Sequence, residues 1–412
     1  MVVKILLYIY QEHIFDQREI RISYIFRMNI ILQAILGTLA AIVLFLFIWG
    51  MKRKAFLSSR AQLYKAQGVF MSKDAGTLVG DIDVYSGVEE HFEKTGEIVS
   101  PSEFMHNKMC HKLGYEKYDP AKFPTMLFCS MGANVISVAD PEIVRDLMTV
   151  KNNMIDKDGF SDVMTKNLLG ESFLFTKTND LWKAKRKACS HAFYKDRLAL
   201  MMGTLQDKIM DCIKRWQKEI DESPNGVTQI DITHEFERIF SRNIITIAFG
   251  EDISDDKFEI YKETERGSNE FYLKKVSVRE AIGDMLVNLT RTMETKFLNP
   301  INLFWARTGK LYAVTKFEKI VDENCARLRA YVRNYVQERK KGGKRKSQFS
   351  SNVDLLSLFL ENEDIFTEEF MVDELLDFFL AGAETTQAVS QTILSHFIKS
   401  PDCLQKVRDE YE

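Results

Sequence analysis

Two short groups of residues carry the polar chemistry of this sequence. One is Glu384-Thr385-Thr386, preceded by Ala381 and Gly382. A carboxyl group beside a hydroxyl is a minimal proton-delivery pair. Gly382 removes a side chain, so that something flat or small could lie against the backbone there. The other group is Trp182 and Arg186, with Lys183, Lys185 and Lys187 around them. At that four-residue spacing an indole N–H and a guanidinium fork share a helix face and form a site for a carboxylate. Each group also has a plain structural reading. The first could be a helix crossing that needs a glycine, with threonines bonding back to their own helix. The second could be a basic surface helix with Trp182 half buried and Arg186 in solvent.

The first group needs a long element to hold it, and the sequence supplies one over Thr367–Lys399. Thr367 can act as N-cap, Glu368 and Glu369 suit the positive end of the helix dipole, and Pro401 follows the last turn. Such a rod is roughly 45 Å long at ~1.5 Å per residue. Phe370, Leu375, Leu376, Phe378, Phe379 and Leu380 make it apolar on most sides, so it should be buried. Gly382 costs about 1 kcal/mol in mid-helix relative to Ala. A local rule broken inside a buried element is where function is expected. The second group sits on a shorter helix. It follows the hydrophobic run ending Phe173-Leu174-Phe175 and the turn Thr178-Asn179-Asp180.

Ala-Gly-x-Glu-Thr-Thr in a long helix resembles the oxygen-activating helix of the haem-thiolate monooxygenases, the cytochrome P-450 family. Trp-x-x-x-Arg after a Gly…Leu-Phe run, with Ala192-Phe193 beyond, is similar to that family's propionate-holding helix. The two stand in the family's order, about two hundred residues apart. The resemblance implies that Trp182 and Arg186 grip the haem propionates and that Ala381 and Gly382 lie over the haem face. It further implies that Glu384 and Thr385 guide protons to bound dioxygen. The implied fold is mainly α (α+β), a helical body with a small antiparallel β region. The implied cofactor is haem b, iron protoporphyrin IX. Electrons would come from NADPH through a reductase, and the substrate would be an apolar small molecule.

Composition agrees with a large globular body. The 412 residues are 45% hydrophobic and 28% charged, and the formal charge of −3 argues against bulk nucleic-acid binding. Six scattered cysteines without a CxxC pair suggest reduced thiols facing the cytosol. Asn29–Met51 carries no charge. Its roughly 23 residues are enough to cross a bilayer core of ~30 Å. Trp49 suits one interface, and Lys52, Arg53, Lys54 and Arg60 favour a cytoplasmic C-terminal side. The expected arrangement is a single-pass anchor, in the endoplasmic reticulum by resemblance. Residues 1–28 form an extension, 29–51 the anchor, 52–118 a linker with the start of the body, and 119–412 an incomplete monooxygenase domain.

Met126–Cys129 and Val135–Val138 read as a hairpin. Asp140-Pro141-Glu142 opens a helix expected to turn Ile143, Val144, Leu147 and Met148 inward. Leu198 to Trp216 and Phe236 to Phe249 repeat at helical spacing, and Gln229–Ile232 alternates like a short strand. His106, Cys110 and His111 are a loose metal-type cluster that reads better as ordinary surface. Lys340–Lys346 is a basic loop, better read as solvated than as a targeting signal. The resemblance makes Lys257–Thr308 the lid of a substrate channel.

In the family a Glu-x-x-Arg helix and a Phe-x-x-Gly-x-x-x-Cys loop lie downstream of the Ala-Gly-x-Glu-Thr-Thr helix, and neither follows it up to Glu412. The chain is therefore expected to match the N-terminal two-thirds of such an enzyme, without the axial thiolate that drives O–O cleavage. The competing reading is a non-catalytic, membrane-anchored helical protein that binds lipid or a partner.

Overall fold

Thr125–Ser130 (β2) and Ala133–Val138 (β3) pair antiparallel, with Met126 opposite Ser137 and Phe128 opposite Val135. Phe70–Met71 (β1) joins β2 in parallel, so the small sheet runs β1-β2-β3. The computed structural model describes residues 2–411, except 78–79, 82–87, 97–100, 131–132, 158, 299–301, 303–310, 343–346, 348 and 350–353. The chain divides into two units, Met1–Ile155 and Asp156–Glu412.

The first unit holds the sheet and helices α1 (Val2–Ala66), α2 (Val88–Thr95), α3 (Pro101–Lys112) and α4 (Pro141–Met148). Among the described residues one helix, Ile31–Ala66, is long and apolar enough to cross a membrane. It does not stop at the end of its apolar stretch. It runs on until Leu57 and Ala61 are buried in the first unit, where Asn134 Nδ2 donates to Leu57 O at 3.2 Å. Met109, Cys110, Phe123, Met126 and Phe128 form the local core. Asp140 caps α4 as its sequence requires, accepting from the amides of Glu142 and Ile143. The inward face expected for α4 is not realised. Ile143, Val144 and Met148 are exposed, with Met148 at 66%.

Among its described residues the second unit is helical apart from one hairpin. Its helices are α5 (Gly159–Leu169), α6 (Asp180–Ser190), α7 (Lys195–Glu222), α8 (Ile232–Phe249), α9 (Val278–Leu298), α10 (Lys316–Lys340), α11 (Leu355–Leu360), α12 (Glu368–Lys399) and α13 (Pro401–Tyr411). The hairpin pairs β4 (Lys257–Glu263) with β5 (Phe271–Ser277). The strand expected at Gln229–Ile232 does not form. Asp231 instead accepts from the amides of Thr233 and His234 and starts α8, a stronger local use of the residue than a four-residue alternation. Thr315 and Glu318 form a reciprocal capping box at the start of α10. Part of the expected lid and residues 343–346 of the basic loop lie outside the described residues.

α12 is the axis of this unit. Thr367 caps it, accepting from Phe370 N at 3.3 Å. Its N-terminal half is packed among α5, α8, α10 and α11, where Leu375, Leu376 and Phe379 join Leu328, Val332 and Phe359 in the main core. Its C-terminal half is mostly exposed. The two halves of one helix therefore meet different surroundings, and the residues singled out above fall at the change.

Candidate functional site

Phe370, Glu374, Asp377, Ala381, Glu384, Thr385 and Ala388 recur along α12 at three- and four-residue steps, so they lie along one side of the helix. The N-terminal part of this stripe is covered, with Glu374 and Asp377 buried. From Ala381 onward it is open: Ala381, Glu384, Thr385 and Ala388 are all exposed. Thr385 Oγ1 donates to Ala381 O at 2.6 Å, and Thr386 Oγ1 to Gly382 O at 3.0 Å. These are the back-bonds of the plain reading, and they park the Thr385 hydroxyl on its own helix.

Gly382 lies off the stripe. A Cβ built on it would come within 2.7 Å of both Cδ1 and Cγ1 of Ile244. The space left by the missing side chain is filled by α8, so the notch expected to be open is a helix crossing. Ala381 is the small residue on the open side. Gly382→Val is accordingly expected to destabilise the protein by about 1–3 kcal/mol through overpacking. Ile244→Ala in the same chain should return part of that loss in a thermal melt.

Asn179 starts α6 by accepting from Trp182 N at 2.7 Å. The indole N–H of Trp182 is not free. It donates to Phe173 O at 2.7 Å, and Lys157 Nζ stands 4.4 Å over the ring. Arg186 is exposed, and among the described residues it has no hydrogen bond or ion pair. The carboxylate site expected from both residues is therefore half engaged: a free guanidinium fork beside an indole already tied to backbone. Lys183 and Lys187 are exposed as expected, but Lys185 is not.

Of the three lysines around the pair, Lys185 is buried. Its Nζ is 2.6 Å from Glu374 Oε1 and donates to Glu171 O at 2.7 Å, with the pair's side chains 3% and 0% exposed. Glu374 Oε2 accepts from Phe173 N at 3.2 Å, and Asp377 from Leu174 N at 3.3 Å. Asp373 accepts from Glu171 N at 2.8 Å and pairs with Arg329 at 2.6 Å. Burial pushes the carboxyl of Glu374 up to about 7 and that of Asp377 up to about 6, against the pull of Lys185 and the backbone amides. Sequence reasoning missed this cluster. The available signal was Asp373-Glu374-x-x-Asp377 inside an apolar helix, with two of the acids on the same side as Phe370.

Haem is the cofactor the sequence implies, and the described residues fit its periphery. Arg186 offers a free fork for an acid arm, and the open stripe of Ala381, Thr385 and Ala388 offers a shallow face. Burial raises the thiols of Cys189 and Cys325 to about 12 and that of Cys212 to about 11. Cys110 is buried too, and Cys403 is exposed on α13. His106 Nε2 lies 2.7 Å from Ser137 Oγ. No group of three His, Cys, Asp or Glu among the described residues could hold a metal ion.

The sequence model of the Cytochrome P450 family matches residues 103–412. Cytochrome P450 CYP94D109 of Paris polyphylla is 27% identical over 250 residues, covering 59% of this chain and 45% of its own. Echinocystic acid 23-monooxygenase of Saponaria officinalis is 24% identical, covering 70% of this chain and 51% of its own. The chain spans about half the length of these curated relatives. The crystal structure of the cytochrome P450DA heme domain superposes with a TM-score of 0.53 at 14% identity, covering 77% of this chain and 59% of that one. That superposition carries the fold.

Proposed function

The chain belongs to the cytochrome P450 family, and from that premise we propose that it is the N-terminal part of a membrane-anchored, haem-dependent monooxygenase. The enzyme inserts one atom of dioxygen into an apolar organic substrate. A reductase supplies electrons from NADPH. Ile31–Ala66 contains the anchor, and the body lies on the cytoplasmic side of the endoplasmic reticulum. The relatives named as monooxygenases support the reaction class, and the apolar N-terminal helix supports the anchor.

The observation that carries this reading is the open continuation of one stripe on α12. The residues that lock α6 in place and the residues proposed to meet the haem lie along the same side of the helix. Arg186 would bind a propionate, with Trp182 one turn earlier on the same helix face. Ala381 keeps the surface low where the porphyrin lies. Thr385 would hold a proton at Oγ1 and release it by turning from Ala381 O. Glu384, exposed one residue earlier, exchanges protons with solvent. Gly382 contributes by letting α8 cross close behind. When bound, the haem supplies dioxygen activation. We assign its thiolate to sequence that the longer relatives contain beyond the matched part.

The test is spectroscopic. Joined to a segment carrying Phe-x-x-Gly-x-x-x-Cys, the protein is expected to show the reduced carbon monoxide Soret band of thiolate-ligated haem. A folded, complete version without that band would refute the assignment and favour a non-catalytic anchored protein.

A further inference from the structure

A closed ring of interactions begins and ends on α6. Trp182 Nε1 donates to Phe173 O at 2.7 Å. The backbone N–H of Phe173 donates to Glu374 Oε2 at 3.2 Å, on α12. The other oxygen of Glu374 is 2.6 Å from Lys185 Nζ, which returns to α6. Lys185 also holds Glu171 O at 2.7 Å and lies 4.2 Å from the ring centre of Phe370. Trp182 and Lys185 are three residues apart, so they project from nearly the same side of α6. The next residue is about 100° further round, since a helix has ~3.6 residues per turn. That residue is Arg186, which stands in solvent.

We propose that Lys185 is a positioning residue: by closing this ring it fixes the rotation of α6 about its own axis, and so aims the Arg186 guanidinium as a carboxylate-binding fork. The ligand class is a carboxylate borne on an apolar ring system, and this identification rests on the haem reading above. The geometry is what a rotational stop requires. One end is a backbone carbonyl that cannot move far. The other is a buried ion pair whose separation would leave Glu374 uncompensated. Surface lysines such as Lys183 and Lys187 cannot do this, because nothing buried opposes them. A slip of one residue would bring Arg186 inward and turn Lys185 out.

The experiment compares the wild-type chain with Lys185→Met and with Lys185→Met/Glu374→Gln, which replaces the ion pair by two uncharged groups and keeps the fold testable. The first readout needs no haem. The indole N–H resonance of Trp182, assigned with Trp182→Phe, is followed in ¹⁵N spectra. It is expected to shift and exchange faster in both variants, while the Trp216 resonance stays unchanged. An unmoved Trp182 signal in a folded variant overturns the proposal. The second readout is affinity for haemin against haemin dimethyl ester, whose acid arms are masked. The wild type should prefer haemin at least tenfold, and both variants should lose that preference. A preserved preference overturns the positioning role alone. No preference in the wild type overturns the haem reading, and the carboxylate half of this proposal with it.

Discussion

Alanine at Gly170 is expected to destabilise the second unit by about 3–5 kcal/mol, the range for breaking a buried ion pair. Gly170 has φ +55°, where an L-residue pays a modest strain. The larger effect is steric. A Cβ there would lie 2.0 Å from Asp373 Oδ1 and 2.4 Å from its carboxyl carbon. A long side chain could swing away, but Asp373 is short and held from two sides. Glu171 N donates to one oxygen at 2.8 Å, and Arg329 lies 2.6 Å from the other. Arg329 is itself tied to Leu168 O at 2.9 Å. Moving the carboxylate therefore leaves the Glu171 amide and the buried acid without their partners, and strips Arg329 of its closest counter-charge while Glu369 stays 3.1 Å away. Denaturant midpoints provide the check. Gly170→Ala should fall far below wild type, and Gly170→Ala/Asp373→Ala should lose less than the sum of the single changes. Strict additivity would show that the two residues do not meet.

Between about pH 4 and 7 the same cluster is expected to weaken the fold as pH rises. The carboxyls of Glu374 and Asp377 are raised by burial from ordinary values of 4.5 and 3.8 to about 7 and about 6, and that of Asp373 is raised as well. In that window the folded chain keeps protons that the unfolded chain has released. Their stabilisation is full below the unfolded values and is lost as pH climbs through the folded ones. For Glu374 the shift corresponds to on the order of 3 kcal/mol. Lys185 and Arg329 oppose the shift, and three backbone amides assist them. Other carboxyls act in the opposite sense at lower pH. The Arg215 guanidinium holds that of Glu235 down at about 2, and Lys208, Ser254 and Arg242 outweigh burial to hold that of Asp252 at about 2. Their contribution is present above the ordinary acid range and fades only below about pH 4. Glu374→Gln cannot ionise. Its urea midpoint should fall less than that of wild type between pH 5 and 7.5; parallel curves would remove Glu374 from the account.

How much of the site was legible differs residue by residue. The Thr367 cap, the run of α12 to Lys399 and the stop at Pro401 were readable because capping and proline chemistry are local. The strands of the first hairpin were readable for the same reason. Trp182 and Arg186 could be placed on one helix from their spacing, but not what each would touch. Phe173 O, which takes the indole N–H, is a backbone atom of a loop, and no side-chain pattern announces it. Gly382 was visible as an anomaly, while its partner Ile244 lies over a hundred positions away in sequence. Lys185 looked like its neighbours Lys183 and Lys187, since a run of lysines does not say which one turns inward. The mis-set strand at Gln229–Ile232 failed because four alternating residues weigh less than one well-placed Asp231 cap.

Alone, the sequence determined the family, the helical build, the apolar N-terminal helix and the order of the two motifs. The family follows from the resemblance of the two motifs; the helices follow from periodicity, capping and residue type, which act over a few turns of chain. Only the tertiary structure decided which side chains are spent on packing and which remain open. It gave Gly382 to α8, the Trp182 indole to Phe173, Lys185 to Glu374 and the Thr385 hydroxyl to Ala381 O, and it left Arg186 and Ala381 open. Those assignments depend on rotation about helix axes and on contacts between residues some two hundred positions apart, such as Lys185 with Glu374. Burial there makes an unmatched charge costly enough to choose one packing over another.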